Sequence, residues 1–166
     1  MRGITLIGMP GAGKSTIGKM LAEKLKFGFI DLDDVIQEKE GRSAGVILRE
    51  RGGDELIRLE ESFALSLDFN NAVFAPGGSI IYSSQVMSKL KFETLIIYLK
   101  LSLAEIKKRL GGEDENRGIV RLAELGWPAL FEERAALYDR WADNTVDCDG
   151  LGLDDLLEKI CKIYCH

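Results

Sequence analysis

Gly8 to Ser15 reads GMPGAGKS, which fits the pattern G-x-x-x-x-G-K-[ST]. Glycines let backbone N–H groups approach phosphate oxygens with no side chain in the way. The N-terminus of a following helix adds unpaired donors and the positive end of its dipole. Gly8, Gly11, Ala12 and Gly13 would form that cradle, and Thr16 would continue it into the helix. Lys14 would set a point charge against the β- and γ-phosphates, and the Ser15 hydroxyl would be a ligand of Mg2+. The implied ligand is a nucleoside triphosphate with magnesium. The pattern alone does not say where the γ-phosphate goes.

A second stretch, FIDLDD from Phe29 to Asp34, ends an apolar run in three aspartates within four residues. Carboxylates so crowded repel one another unless a cation or a hydroxyl uses them. Strand alternation would point Asp31 and Asp33 to one side. One carboxylate near magnesium and one near a substrate hydroxyl would explain the pair. The alternative is helix capping, since Asp is a favoured N-cap; that role is assigned mainly to Asp34 and little to Asp31.

The elements that must position these residues alternate. Gly3 to Gly8, Phe27 to Leu32, Ala72 to Ala75, Thr94 to Leu99 and Thr145 to Asp147 read as strands. Lys14 to Lys26, Asp33 to Glu40, Leu56 to Phe69, Leu103 to Leu110, Pro128 to Trp141 and Leu153 to Tyr164 read as helices. Near-continuous apolar strands alternating with helices predict an α/β fold with a parallel sheet covered on both faces. Ligands in such folds sit beyond the carboxyl ends of the strands. Residues 111–125, beginning GGEDENRGIV, are glycine-rich and charged; they fit a solvated loop or a mobile lid. Trp127 and Trp141 are expected to pack, and Glu113, Asp114 and Glu115 to face water.

The bulk numbers narrow the class. The chain has 166 residues, 46% hydrophobic and 30% charged, which suits one globular domain. A net charge of −5 argues against a general nucleic-acid binder, so an anionic substrate must be held by local cations. No apolar segment approaches the length of a membrane span, and the N-terminus lacks the features of a signal peptide. Three cysteines without CxxC spacing, Cys148, Cys161 and Cys165, read as free thiols in a reducing cytosol. The only histidine is His166, so catalysis by a buried histidine base is excluded.

GMPGAGKST, DLDDVIQEKEGRS, IRLEE, PGG, an arginine in a glycine-rich loop and ERAALYDRWAD, in that order from about Gly8 to Asp147, resemble the shikimate kinase family. The resemblance implies a three-layer P-loop NTPase fold of the nucleoside-monophosphate-kinase type: a five-stranded parallel sheet flanked by helices, plus a mobile lid over residues 111–125. It implies one domain over residues 1–166, with a substrate-binding helical region at about 33–61. It further implies a cytoplasmic monomer that phosphorylates the 3-hydroxyl of shikimate with ATP and Mg2+, in aromatic amino-acid biosynthesis. Carried over residue by residue, Asp31 is on the magnesium side. Asp33 binds substrate hydroxyls and accepts the proton. Arg58 grips the substrate carboxylate with Glu61 in support, and Arg134 is the second carboxylate arginine. Gly77 and Gly78 form the turn at the substrate. Arg117 is the lid arginine over the transferring phosphate, and Arg109 packs on adenine. Phosphoryl transfer asks for charge neutralisation and alignment more than for a strong base, which suits Lys14, Mg2+, Arg117 and a weakly basic Asp33.

Several positions depart from the family pattern. Pro76 stands where a glycine is usual, Ala44 and Leu48 follow the GRS motif, Ile57 precedes Arg58 in place of Phe, and Gly118 follows Arg117 in place of Pro. These changes predict a roomier pocket and keep open phosphorylation of a different hydroxy acid. An alternative of another class is a nucleotide-dependent switch without small-molecule turnover, which leaves Arg58 and Arg134 without a role.

Overall fold

The computed structural model describes residues 2–112 and 118–165. Five strands form one parallel sheet: β1 (Gly3–Ile7), β2 (Gly28–Asp31), β3 (Ala72–Ala75), β4 (Thr94–Lys100) and β5 (Asn144–Asp147), in the order β2-β3-β1-β4-β5. All residues of β1 and β3 are buried, as expected for strands covered on both faces. Their one polar side chain, Thr5, is satisfied. Thr5 and Thr94 share a hydroxyl hydrogen bond of 2.8 Å across β1 and β4, and Thr94 Oγ1 lies 2.8 Å from the Leu90 carbonyl.

The helices are α1 (Lys14–Leu25), α2 (Leu32–Glu40), α3 (Ala44–Arg51), α4 (Gly53–Ser66), α5 (Ser84–Glu93), α6 (Leu103–Leu110), α7 (Leu122–Trp141) and α8 (Leu153–Cys165), with a 3-10 turn at Gly78–Tyr82. Two helices, α3 and α5, lie in stretches where periodicity predicts none. Each is announced by a capping serine: Ser43 Oγ accepts from Val46 N–H and Ser83 Oγ from Val86 N–H. Their apolar faces are only three residues wide, too narrow a stripe to stand out in the sequence. Residues 122–141 are not one smooth helix. Gly126 breaks it at φ 72°, ψ 168°, so Pro128 falls in the first turn of the segment beyond, where a missing N–H is harmless.

Chain order in a parallel sheet leads one to expect the end of β2 beside the phosphate loop that follows β1, and the sheet order corrects this. β3 lies between β1 and β2, so β2 does not neighbour the strand that carries the phosphate loop. Asp31 instead pairs in register with Ala75, which leads directly into Pro76–Gly77–Gly78. The carboxyl edge of the sheet thereby gathers the aspartates, the proline–glycine turn and the phosphate loop. Trp127 and Trp141 pack, partly buried, against the core. No described helix is long and apolar enough to cross a membrane.

Candidate active site

A cleft of about 540 Å3 opens along this edge. It runs from the phosphate loop past Asp31 and Asp33 to Glu60, the 77–79 turn and Arg134.

The loop at one end is shaped by its glycines. Gly13 has φ 88° and no atom within 4 Å of where a Cβ would stand, so its amide face is open to a ligand. Gly8 is needed for the opposite reason: a Cβ there would lie 2.7 Å from the Leu99 carbonyl oxygen. Lys14 is the first residue of α1, and its ammonium donates to the carbonyls of Gly8 (2.8 Å) and Met9 (3.0 Å). That folds the charge back over the mouth of the cradle. Ala12 is buried beneath it, and Thr16 lines the cleft beside Ser15. Arg109 borders the loop from α6; it donates to Glu105 at 2.9 Å and faces the Gly11 carbonyl at 3.5 Å.

Asp31 and Asp33 do not share a strand face. β2 ends at Asp31, and Asp33 lies in the first turn of α2. The capping role falls to Asp31, whose Oδ1 accepts from Asp33 N–H at 3.0 Å, whereas Asp34 lies inside the helix. The other oxygen, Oδ2, accepts from Ser15 Oγ at 2.5 Å. One carboxylate therefore ties the phosphate loop to α2. The Ser15 and Asp31 oxygens form a hard-oxygen pair of the kind Mg2+ takes alongside phosphate and water. Asp33 opens onto the water of the cleft yet is enclosed by protein on its other sides. Its carboxyl is pushed above the usual range, first by lost solvation, then by Asp31; Lys14 pulls it partly back.

The far end holds a buried acid and a buried base. Glu60 is 3% exposed and accepts from Ser79 Oγ at 2.5 Å. Burial raises its pKa to about 7; Asp33 adds to the rise, while Ser79 and Arg134 oppose it. Arg134 is 1% exposed. Its Nη2 donates to the Val120 carbonyl at 2.8 Å, and its Nε lies 3.4 Å from the Tyr82 hydroxyl. Tyr138 Oη donates to the Gly78 carbonyl at 2.8 Å and fixes the turn between them. A Cβ on Gly77 would stand 2.6 Å from Glu60 Oε1, and one on Gly78 would stand 2.7 Å from Arg134 Nη1. Gly78→Ala should therefore push Arg134 aside and weaken a carboxylate ligand in this half about tenfold, read by calorimetric titration. Unchanged affinity would show that the wall yields without moving the guanidinium.

Not every expected residue reaches the cleft. Arg58 sits on the outer face of α4, with a side chain 70% exposed, and binds Glu55 at 2.7 and 2.9 Å. Its expected partner Glu61 instead accepts from Ser83 Oγ. The physical reason is helical phase: Leu56, Glu60 and Ala64 are the buried residues of α4, and Arg58 lies about 160° round from Glu60. Of the five departures expected to shape the pocket, Ala44, Pro76 and Gly118 line it, whereas Leu48 and Ile57 pack against the core. Glu60 and Ser79 are the members that sequence reading missed. The spacing Leu56–Glu60–Ala64 carries the signal for Glu60, since it puts the first glutamate of IRLEE on the apolar face. Arg117 and the acidic run 113–115 lie outside the described residues, which resume at Gly118.

Comparison with known proteins gives one consistent result. A family model described as "Shikimate kinase" matches residues 10–164. The shikimate kinase of Persephonella marina is 36% identical over 151 residues, covering 90% of this chain and 91% of its own. That of Enterococcus faecalis is 35% identical over 165 residues, covering 98% of each. Among solved structures, shikimate kinase from Acinetobacter baumannii in complex with shikimate superposes with a TM-score of 0.86 at 27% identity, over 99% of this chain and 93% of that one. Deoxyadenosine kinase from M. mycoides with bound dATP shares the fold alone, at a TM-score of 0.61 and 17% identity over 98% and 99% of the two chains.

Proposed function

The chain belongs to the shikimate kinase family, and we propose that it transfers the γ-phosphate of ATP to the 3-hydroxyl of shikimate, giving shikimate 3-phosphate and ADP. The observation that carries this reading is the shared cleft, in which a phosphate cradle and a buried arginine face each other across Asp31 and Asp33. The cradle takes a triphosphate at one end. Arg134 takes an acid at the other. The hydroxyl to be phosphorylated lies between them, at Asp33.

In this mechanism Asp33 holds the acceptor hydroxyl in line with the γ-phosphorus. The hydroxyl oxygen forms the new P–O bond as the bond to the β-phosphate oxygen breaks, and its proton passes to Asp33. The raised affinity of Asp33 for protons suits that last step. Lys14 sets its ammonium against the non-bridging oxygens, where charge spreads in a loose transition state. Ser15 and Asp31 would hold Mg2+, which supplies charge neutralisation to the phosphates when bound. Arg109 is assigned to the adenine side, and Arg117 to the transferring phosphate from a lid over part of 111–125. Gly77 and Gly78 let the acceptor approach Glu60 and Arg134 without a Cβ between them. We place the enzyme in the cytoplasm as a single-domain monomer.

The test is a coupled ADP-release assay with Mg-ATP, comparing shikimate, quinate, gluconate and no acceptor. Release driven chiefly by shikimate is expected. Release driven equally by gluconate, or proceeding without an acceptor, would overturn the assignment. Within that assay Asp33→Asn should lower kcat about 100-fold and leave the KM for ATP within about twofold. A loss carried wholly by KM would instead make Asp33 a binding group.

A further inference from the structure

The acceptor end of the cleft has one described guanidinium. Lys14 and Arg109 lie at the phosphate-loop end, and from Asp33 to the 77–79 turn Arg134 is the single described cation in the wall. α4 places Arg58 outside, on Glu55. The residue of α4 one turn before Glu60, about 60° round from it, is Ile57, which packs partly buried against the core and does not itself line the cleft. An arginine there would stand three residues from Glu60 and within pairing reach of it. Isoleucine supplies no charge, and Glu60 rests instead on the Ser79 hydroxyl at 2.5 Å.

Arg134 is itself partly committed. Nη2 is held by the Val120 carbonyl and Nε faces Tyr82, while Nη1 is the nitrogen next to Gly78 at the cleft wall. A carboxylate can meet this edge, through Nη1 and the remaining Nη2 hydrogen, without displacing the Val120 contact, while the Nε side is already turned to Tyr82.

We propose that, among the described residues, Arg134 alone holds the acceptor's carboxylate, through one edge, and that position 57 is the specificity-determining position at which α4 withholds a second guanidinium. This rests on the kinase reading above. The acceptor class is a small polyhydroxy monocarboxylate, recognised more through its hydroxyls at Asp33 and Glu60 and less through its charge.

The experiment is steady-state kinetics on shikimate and its methyl ester for the wild type, Arg58→Ala, Ile57→Arg and Arg134→Met. Arg58→Ala should leave the KM for shikimate within about twofold of wild type. Ile57→Arg should lower it about tenfold with kcat held, and should widen the preference for the acid over the ester. Arg134→Met should raise the KM for shikimate and not for the ester. A tenfold rise in KM with kcat intact in Arg58→Ala would overturn the single-arginine site, as would no gain from Ile57→Arg. Both substitutions are on α4 and remain readable if the buried Arg134→Met does not fold. Absence of shikimate-driven turnover in the wild type is a separate result: it overturns the kinase reading, and this proposal with it.

Discussion

Lys14→Met should lose about three orders of magnitude in kcat while keeping the fold. The lysine begins α1, and its ammonium already lies over the phosphate loop on the Gly8 and Met9 carbonyls. Methionine preserves the length of the stem and a good helix propensity, so the substitution removes one charge and little else. That charge matters most when negative charge moves onto the bridging oxygen and the three equatorial oxygens. The expected loss therefore falls on kcat, with a smaller rise in the KM for ATP. The chain carries −5 overall, and Asp31, Asp33 and Asp34 crowd the same cleft, so no global positive field compensates. Arginine should rescue poorly, because its planar fork does not fit where a compact ammonium folds back on two carbonyls. The check is kcat at saturating substrates beside a thermal melt. A kcat within fivefold of wild type would mean that the cradle's backbone donors carry the transition-state charge by themselves.

Much of this geometry is legible in the sequence, and the boundary is instructive. The phosphate loop is readable because its chemistry constrains spacing: glycines where a Cβ would collide or block, then a lysine and a hydroxyl at the start of a helix. β3 and α6 fall where patterning puts them, at Ala72–Ala75 and Leu103–Leu110. Strand order is not readable, because a parallel sheet hides which strands neighbour. The Ser15–Asp31 contact is consequently made across the end of β3, with β1 and β2 kept apart. The phase of α4 is readable only if the helix is anchored on Leu56 and Ala64. Anchored on the motif alone, the arginine goes to the wrong face.

One pair of departures has its reason only in three dimensions. Gly118 has φ 66°, a conformation proline cannot take, and a Cβ there would stand 2.8 Å from the Ala44 carbonyl carbon and the Gly45 nitrogen. A glycine at 118 lets the returning chain lie directly on the start of α3. The small residues Ala44 and Gly45 receive it there. The glycine and the alanine are thus two halves of one close contact, and Ala44 does more than enlarge the pocket.

Glu60→Gln should stabilise the protein at alkaline pH and impair it as an enzyme. The folded pKa of Glu60 is raised to about 7 from an ordinary 4.5, chiefly because burial strips solvent from the carboxylate. The folded state therefore binds more protons than the unfolded chain between those values. Stability from this group is fully present below about 4.5, declines as pH rises, and is lost above about 7. Across that interval the wild type should forfeit on the order of 3 kcal/mol that the variant keeps, equivalent to a Tm difference of roughly 5 °C or more at pH 8. Glutamine still accepts from Ser79, so packing is nearly unchanged. Asp33 has the same sign of shift and remains in both proteins, so the difference between the two stability curves reports Glu60 together with its charge coupling to Asp33. The reading is urea unfolding at pH 5 and pH 8; parallel curves would show that Glu60 finds a cation or water that offsets its burial. The charge is retained because the ionised carboxylate lies beside Asp33 and Arg134, where an acceptor's hydroxyls would need an acceptor of hydrogen bonds. Stability conceded at one buried acid is the physical trace of a site shaped for binding rather than for folding.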